Sequence, residues 1–232
     1  PLFFMFVVFV TGLTRTSSRV LASHTSGEDV ESGCVTVAAL TLVSVVAVVL
    51  FVADDLSRFV LHRFMHKVPA LWRLHRVHHS ATTLTPFTVF RVHPLESIIY
   101  TLRGFLVFSM VGGLFIWLFK GQLSALDILG VDALGFLFNL AAANLRHSHV
   151  PVAFGTIERF VISPLQHQLH HSRDHVDVNF GACLSVWDRC FGSHLLSRDA
   201  GKTNALQFGL GTTGIDSDRP IICKAPSNSL AV

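Results

Sequence analysis

The chain has 232 residues, half of them apolar and 14% charged, with 20 Phe against one Tyr and a formal net charge of +3, a balance that belongs to a membrane rather than to water. Four scattered cysteines, Cys34, Cys183, Cys190 and Cys223, form no CxxC pair, which excludes a zinc ribbon and a disulfide framework and leaves ordinary thiols. The lysines and arginines flank apolar runs instead of clustering, so the modest positive charge reflects topology and no nucleic-acid partner is expected.

In chain order, residues 1–13 are apolar but short, and they read as the remainder of a longer first helix. A cleaved signal peptide is the rival reading, and it lacks both a charged leading region and a small-residue cleavage site. After the polar, acidic stretch 14–33 comes 34–53, about twenty residues without a charge, enough to cross a ~30 Å hydrocarbon layer as helix. Residues 97–119, interrupted by Arg103, and 123–143, carrying Asp127 and Asp132, are two further spans. Only Lys120, Gly121 and Gln122 join them, which makes a tight hairpin. Ser124-Ala-Leu-Asp127 has capping-box spacing, so Asp127 reads as a helix start. Asp132 lies deeper, where an ionisable group usually faces the bundle interior. Arg103 is its one charged candidate partner, but it enters from the opposite side and is not expected to reach it. Asp132, Phe136, Asn139, Ala143 and His147 recur at helical spacing, either as a polar helix–helix contact or as the wall of a lipid-accepting tunnel.

This layout puts residues 54–96 and 144–232 on one side of the membrane. Six lysines and arginines lie in the first segment and eight in the second, out of 18, and the positive-inside rule makes that side cytoplasmic. Residues 1–201 read as one domain, and 202–232, rich in Gly, Ser, Thr and Pro, as an extended or disordered tail.

The chain holds 14 histidines, and most are grouped: His62-Arg-Phe-Met-His66, His75-Arg-Val-His78-His79, Arg146-His147-Ser-His149 and His167-Gln-Leu-His170-His171. On a helix, residues three and four apart share a face, so HxxxH and HxxHH make imidazoles converge. His62, His66, His75, His78, His79, His167, His170 and His171 therefore read as metal ligands, whereas His24 and His194 read as ordinary histidines. Tetrahedral zinc takes about four ligands, and eight or nine imidazoles can serve two metals of higher coordination number. A dinuclear centre fits best, although imidazole suits iron, copper, nickel and zinc alike. HExxH is absent, which removes the usual zinc-protease helix. No Glu-x-x-His occurs either, which removes a ferritin-type carboxylate centre. The histidines flank the spans, which argues against a bis-histidine haem and against a transporter that binds its ion at the midplane.

The stretch 55–96, with DLSRFVLHRFMHKVPALWRLHRVHHS followed by RVHPLE, resembles the fatty acid hydroxylase and sterol desaturase superfamily. The later half resembles it too, through Arg146-His147-Ser-His149, Ser163-Pro-Leu-Gln-His167-Gln-Leu-His170-His171, Asn179-Phe-Gly181 and Trp187-Asp-Arg-Cys-Phe-Gly192. The resemblance covers roughly residues 34–195. It implies an all-α integral-membrane enzyme, about four transmembrane helices with a cytosol-facing helical cap that holds a di-iron site. Such an oxidoreductase uses O2 and two electrons from a separate donor, of cytochrome b5 or ferredoxin type, to hydroxylate or desaturate a membrane lipid. A sterol, fatty acyl chain, carotenoid or ether lipid would serve as substrate. Endoplasmic reticulum, a bacterial inner membrane and an organelle membrane all fit. By motif position His62, His66, His75, His78, His79, His147, His167, His170 and His171 would be the ligands. His149 stands where many relatives carry Asn, which leaves the choice between His147 and His149 open.

Groups around the ligands are expected to orient the imidazoles. Asp55 is the first choice because it lies seven residues before His62 on the same helical face, and Asp177, Asn179 and Asp188 follow. His93 and His175 are further candidates for ligation, orientation or loop packing. Trp72 and Trp187 read as interface anchors, with stacking near the site as the alternative, and Arg91, His93 and Glu96 as a structural loop network, with contact to a lipid headgroup or donor protein as the alternative. A member of this fold without catalysis, serving as a structural subunit of a larger membrane complex, is the alternative function.

Overall fold

The computed structural model describes residues 31–119, 145–175, 177–201 and 206–211. The expected spans at 1–13 and 123–143, with Asp132, Phe136, Asn139 and Ala143, lie outside the described residues, as does most of 202–232. Among the described residues the structure is helical, with one isolated bridge between Val161 and Leu184.

Helix α1 (Glu31–Lys67) contains the apolar run 34–53 and continues through the first histidine box. It stops because Pro69 follows. The ring of a proline pushes the preceding residue out of helical conformation, and Val68 is extended at φ −100° and ψ 117°. Pro69 then opens helix α2 (Pro69–His79), a position that needs no backbone N–H. This break turns the second box back toward the first. A 3₁₀ turn at Pro86–Phe90 leads to helix α3 (Pro94–Leu118), which matches the span expected at 97–119. After residue 145 come a second 3₁₀ turn at Gly155–Arg159, helix α4 (Pro164–His171), helix α5 (Val186–Cys190) and a last turn at Ser197–Asp199.

The described residues divide into two compact units. The first takes in residues 31–57 and 101–119. Its core is Val46, Leu50 and Phe115, with Leu42, Ala47, Phe108, Val111, Ile116 and Phe119 packed around them. Arg103, on α3, donates from Nη1 to Asp54 Oδ1 at 2.7 Å and also meets Asp54 O and Ser57 Oγ, so its charge is matched one helix away. Helix α3 is long and apolar enough to cross a membrane, yet only 11% of its most apolar stretch is buried. Leu102, Phe105, Leu106, Met110, Leu114 and Trp117 all stand exposed along it. A core helix of a soluble protein would hide such a surface, and an apolar face of this extent needs a partner or a lipid phase.

The second unit takes in 58–100 and the described residues from 145 onward. Phe59, Met65, Leu84, Ile162, Leu169 and Phe180 are fully or almost fully buried there, but polar groups fill much of the interior. Helix α4 is set by a capping box: Ser163 Oγ accepts from Gln166 N at 3.1 Å, and Gln166 Oε1 accepts from Ser163 N at 3.1 Å. Beneath it Glu158, 1% exposed, accepts from the hydroxyls of Ser163 and Ser197, both at 2.7 Å, and from the backbone N–H groups of Ser197 and Phe154. Burial alone would raise the Glu158 pKa, but these hydrogen bonds outweigh it and hold the carboxyl below its ordinary value. Residues 206–211 run without helix, tied to the unit by Arg173, whose N donates to Gln207 O and whose Nε donates to Gly209 O, both at 2.9 Å.

Candidate metal centre

The second unit gathers nine imidazoles into two groups. His62, His66, His75, His79 and His170 form one, and His78, His147, His167 and His171 the other, with the ligand atoms of each group within 4.8 Å of one another. Helix α1 supplies His62 and His66, α2 supplies His75, His78 and His79, and α4 supplies His167, His170 and His171. The i+3 and i+4 spacing splits α2 and α4 between the groups, so each of these short helices feeds both. The rings of His79 and His171, one from each group, stack with centroids 4.3 Å apart.

The ring nitrogens are sorted by their partners. His62 Nδ1 donates to Phe180 O at 2.8 Å, His170 Nδ1 to Val178 O at 2.8 Å, His75 Nδ1 to Glu96 Oε1 at 2.7 Å, and His78 Nδ1 to Arg91 O at 3.3 Å. An acceptor at Nδ1 fixes the proton there and leaves the Nε2 lone pair free to ligate. Within each group several Nε2 atoms approach one another. His62 and His75 Nε2 lie 3.1 Å apart in the first group. In the second, Nε2 of His78 and His147 are 3.1 Å apart, of His147 and His167 3.0 Å, and of His167 and His171 3.2 Å. In the first group His66, His79 and His170 each keep a buried Nε2 without a hydrogen-bond partner.

Burial is the main influence on every one of these titrations. It pushes His62 and His78 down to about 4, and it drives His66, His75, His79, His167, His170 and His171 well below the ordinary value, with neighbouring imidazoles adding to the effect for these six. These eight rings are therefore neutral at physiological pH, the form that ligates a metal. The residues fit a metal pair on geometry as well. At a metal–nitrogen distance of about 2.1 Å, ligands at right angles sit about 3.0 Å apart and tetrahedral ones about 3.4 Å. The spacings of 3.0–3.2 Å match the former.

Other sequence candidates fall in different places. His149 is exposed while His147, two residues earlier, is buried in the second group. His175 packs a loop, its Nε2 on Ala200 O at 3.1 Å. His93 accepts from Leu95 N at 3.2 Å at the start of α3. None of these three belongs to either group. Asp55 is buried on α1, and the Glu96 side chain meets His75 from the start of α3. Asp177, at φ 64°, brings Oδ1 to 3.7 Å from His66 Nδ1 and pairs through Oδ2 with Lys67. Asn179 clamps chain segments, donating to Gln166 O and Leu195 O and accepting from Leu195 N. Asp188, fully buried, accepts from Phe180 N and Gly181 N, both at 2.8 Å, and from Ser193 Oγ at 2.6 Å. It thereby holds the peptide whose carbonyl orients His62. Trp72 lays its ring against His66 and His79, at 5.1 and 5.5 Å between centroids, the stacking alternative to an interface anchor. Sequence reasoning missed Glu96 as a ligand partner, along with the carbonyls of Phe180, Val178 and Arg91. The signal for Glu96 was its place three residues after His93 in RVHPLE.

Comparison with known proteins agrees with this picture. A profile described as fatty acid hydroxylase matches residues 47–193, well over half of the chain. An alkylglycerol monooxygenase of Danio rerio is 30% identical over 62% of this chain and 29% of its own length. The ornithine lipid hydroxylase OlsE of Rhizobium tropici is 24% identical over 61% of this chain and 39% of its own. The Delta(7)-sterol 5(6)-desaturase erg3C of Aspergillus fumigatus is 24% identical over 65% of this chain and 48% of its own. The chain thus spans less than half the length of each of these relatives, all of which are named for oxidations. No solved structure matches it. With two sets of converging, neutral imidazoles and a profile match that runs from α1 to just past α5, the chain belongs to the fatty acid hydroxylase family.

Proposed function

We propose that this chain is a membrane-bound oxidoreductase that uses O2 to hydroxylate or desaturate a C–H bond of a membrane lipid at a di-iron site. The observation that carries the reading is the pair of imidazole groups, five and four strong, with Nε2 atoms turned inward. His62, His66, His75, His79 and His170 would hold one iron, and His78, His147, His167 and His171 the other. The names of the relatives support lipid oxidation as the chemistry.

Bound iron would supply redox activation of O2 for attack on an unactivated C–H bond. The protein's part is to hold nine imidazoles in place and aimed, eight of them neutral by their depressed pKa values. Phe180 O, Val178 O, Arg91 O and Glu96 fix ring orientation through Nδ1, and the buried setting keeps bulk water from the site. Glu96 behind His75 brings a carboxyl group against a ligand ring, and burial pushes its pKa up to about 7.

In this reading the chain has about four transmembrane helices, the metal site lies on the cytoplasmic side, and the metal-binding domain ends near residue 201, with 202–232 as a tail. Electrons come from a separate donor of cytochrome b5 or ferredoxin type. The test is iron per chain on detergent-purified protein, with His170→Ala and His78→Ala beside it. About two irons are expected, with each variant losing the ion of its own group, and with O2 consumption in the presence of lipid and a reductant lost in both. Absence of metal, or metal content indifferent to both substitutions, refutes the reading.

A further inference from the structure

The 3₁₀ turn at Pro86–Phe90 has two opposed sides. With three residues per turn, Phe87 and Phe90 are eclipsed on one side, and they are 79% and 65% exposed, the former the most exposed large apolar side chain among the described residues. On the other side Thr88 is buried, its hydroxyl closing the capping box with Thr85. At the end of the turn, Arg91 O accepts from His78 Nδ1. The segment thus faces the imidazole group inwardly and shows two bare aromatic rings outwardly.

Its surroundings name the occupant of that outward side. Three residues later α3 begins, and its exposed apolar surface starts at once: Leu95 is 53% and Ile98 52% exposed, followed at helical spacing by Leu102 and Leu106. Phe87, Phe90, Leu95 and Ile98 thus stand exposed within twelve residues of the same unit. Arg91 stands exposed between them and α3, its Nε donating to Ser80 Oγ at 3.0 Å. A cation beside an apolar edge suits the phosphate layer of a bilayer, where long basic side chains keep their charge in the headgroups above buried aromatics. A protein partner would need a matching apolar groove, whereas a leaflet covers Phe87, Phe90, Leu95 and Ile98 without one.

We infer that Phe87 and Phe90 insert into the lipid leaflet at its headgroup–acyl boundary, so that the turn orienting His78 is in direct contact with the membrane. This rests on the membrane reading above, and it goes beyond that reading by assigning a lipid contact to a loop of the metal-binding unit. The chemistry of the occupant is that of any phospholipid or sterol acyl surface.

The experiment places 4-fluorophenylalanine at position 87 or 90 of the full chain in lipid nanodiscs. The same label at Leu106 serves as reference for a lipid-facing site, and at Arg198, whose side chain is 59% exposed, for a water-facing one. Fluorine relaxation is read with a nitroxide-bearing phospholipid and, separately, with a soluble gadolinium chelate. The expected result is severalfold broadening by the nitroxide at 87 and 90, as at 106, with little response to the chelate. Broadening by the chelate alone, as at 198, overturns the inference. Silence toward both, which means that protein covers the rings, overturns it equally. Loss of the nitroxide effect at 106 as well overturns the membrane-span reading together with the inference. The readout needs neither bound metal nor turnover, so it is independent of the di-iron assignment.

Discussion

Replacing Asp188 tests the link between a buried carboxylate and the imidazoles it never touches. Asp188 Oδ1 takes Phe180 N and Ser193 Oγ, and Oδ2 takes Gly181 N, in a site without solvent exposure. In Asp188→Ala two backbone donors lose a charged acceptor at about 1.5–3 kcal/mol each, so the protein loses about 3–6 kcal/mol, with the Ser193 hydroxyl free to turn elsewhere. Asp188→Asn keeps one oxygen but sets an amide N–H against a backbone N–H, at a cost of about 1.5–3 kcal/mol. Ser193→Ala removes a single bond and costs about 1 kcal/mol. The site should feel the same order. His62 Nδ1 is held by Phe180 O, and a loosened 180–181 peptide weakens metal retention by about tenfold. Denaturant unfolding in detergent gives the stability series, and iron retained during a chelator titration gives the second. Wild-type stability in Asp188→Ala, or an unchanged chelator midpoint beside a large loss of stability, would refute the coupling.

Three further outcomes follow from the same contacts. Glu96→Ala should weaken metal retention about 10–100-fold by stripping His75 Nδ1 of its acceptor, while Glu96→Gln, which still offers an oxygen, should retain most of it; equal behaviour of both variants and wild type in the chelator titration would count against the contact. Glu158 has a folded pKa below its ordinary 4.5, so its contribution to stability is present above that value and is lost as pH falls through the folded pKa. Glu158→Gln should therefore flatten the acid limb of a stability–pH curve, and an unchanged slope there would contradict the assignment. Gly181→Ala should destabilise by about 1–3 kcal/mol, because a Cβ would come to 2.7 Å from Leu184 O and 2.9 Å from both Asp188 Oδ2 and Ile162 Cγ1; thermal melts that coincide with wild type would show that the neighbours give way.

What could be read from the sequence is what repeats locally. The boxes place converging rings on α1, α2 and α4 by helical period alone, and Pro69 announces the break that lets α2 return on α1. The span expected at 97–119 differs from α3 by a few residues, since Pro94 starts the helix before the apolar run begins. Partners supplied from a distance in sequence were beyond that reach. Asp55 was favoured because seven residues make two helical turns, and local period gives no such cue for Glu96, whose carboxylate meets His75 from 21 positions away. Phe180 O is 118 positions from His62, and a carbonyl has no signature in the side-chain alphabet. The choice between His147 and His149 turned on the short turn at 145–148, where Ser148 N bonds back to Leu145 O and His149 stands exposed.

The arrangement also explains why this unit keeps so polar an interior. Apolar side chains in these positions would pack without any need for partners, whereas each buried imidazole needs both ring nitrogens satisfied. Four of the nine have a backbone or carboxylate acceptor at Nδ1, and for His62 and His75 that choice turns the two Nε2 lone pairs toward one another at 3.1 Å, where neutral acceptors repel. Protonation would relieve the repulsion by making one nitrogen of a pair a donor, but burial has pushed these pKa values down to about 4 or well below the ordinary value. A cation shared among the lone pairs relieves it without adding a proton, and it turns the costliest feature of the core into its strongest contacts. The acceptors behind the rings, Phe180 O, Val178 O, Arg91 O and Glu96, are thus as much part of the candidate centre as the histidines, because they decide which nitrogen is left to bind.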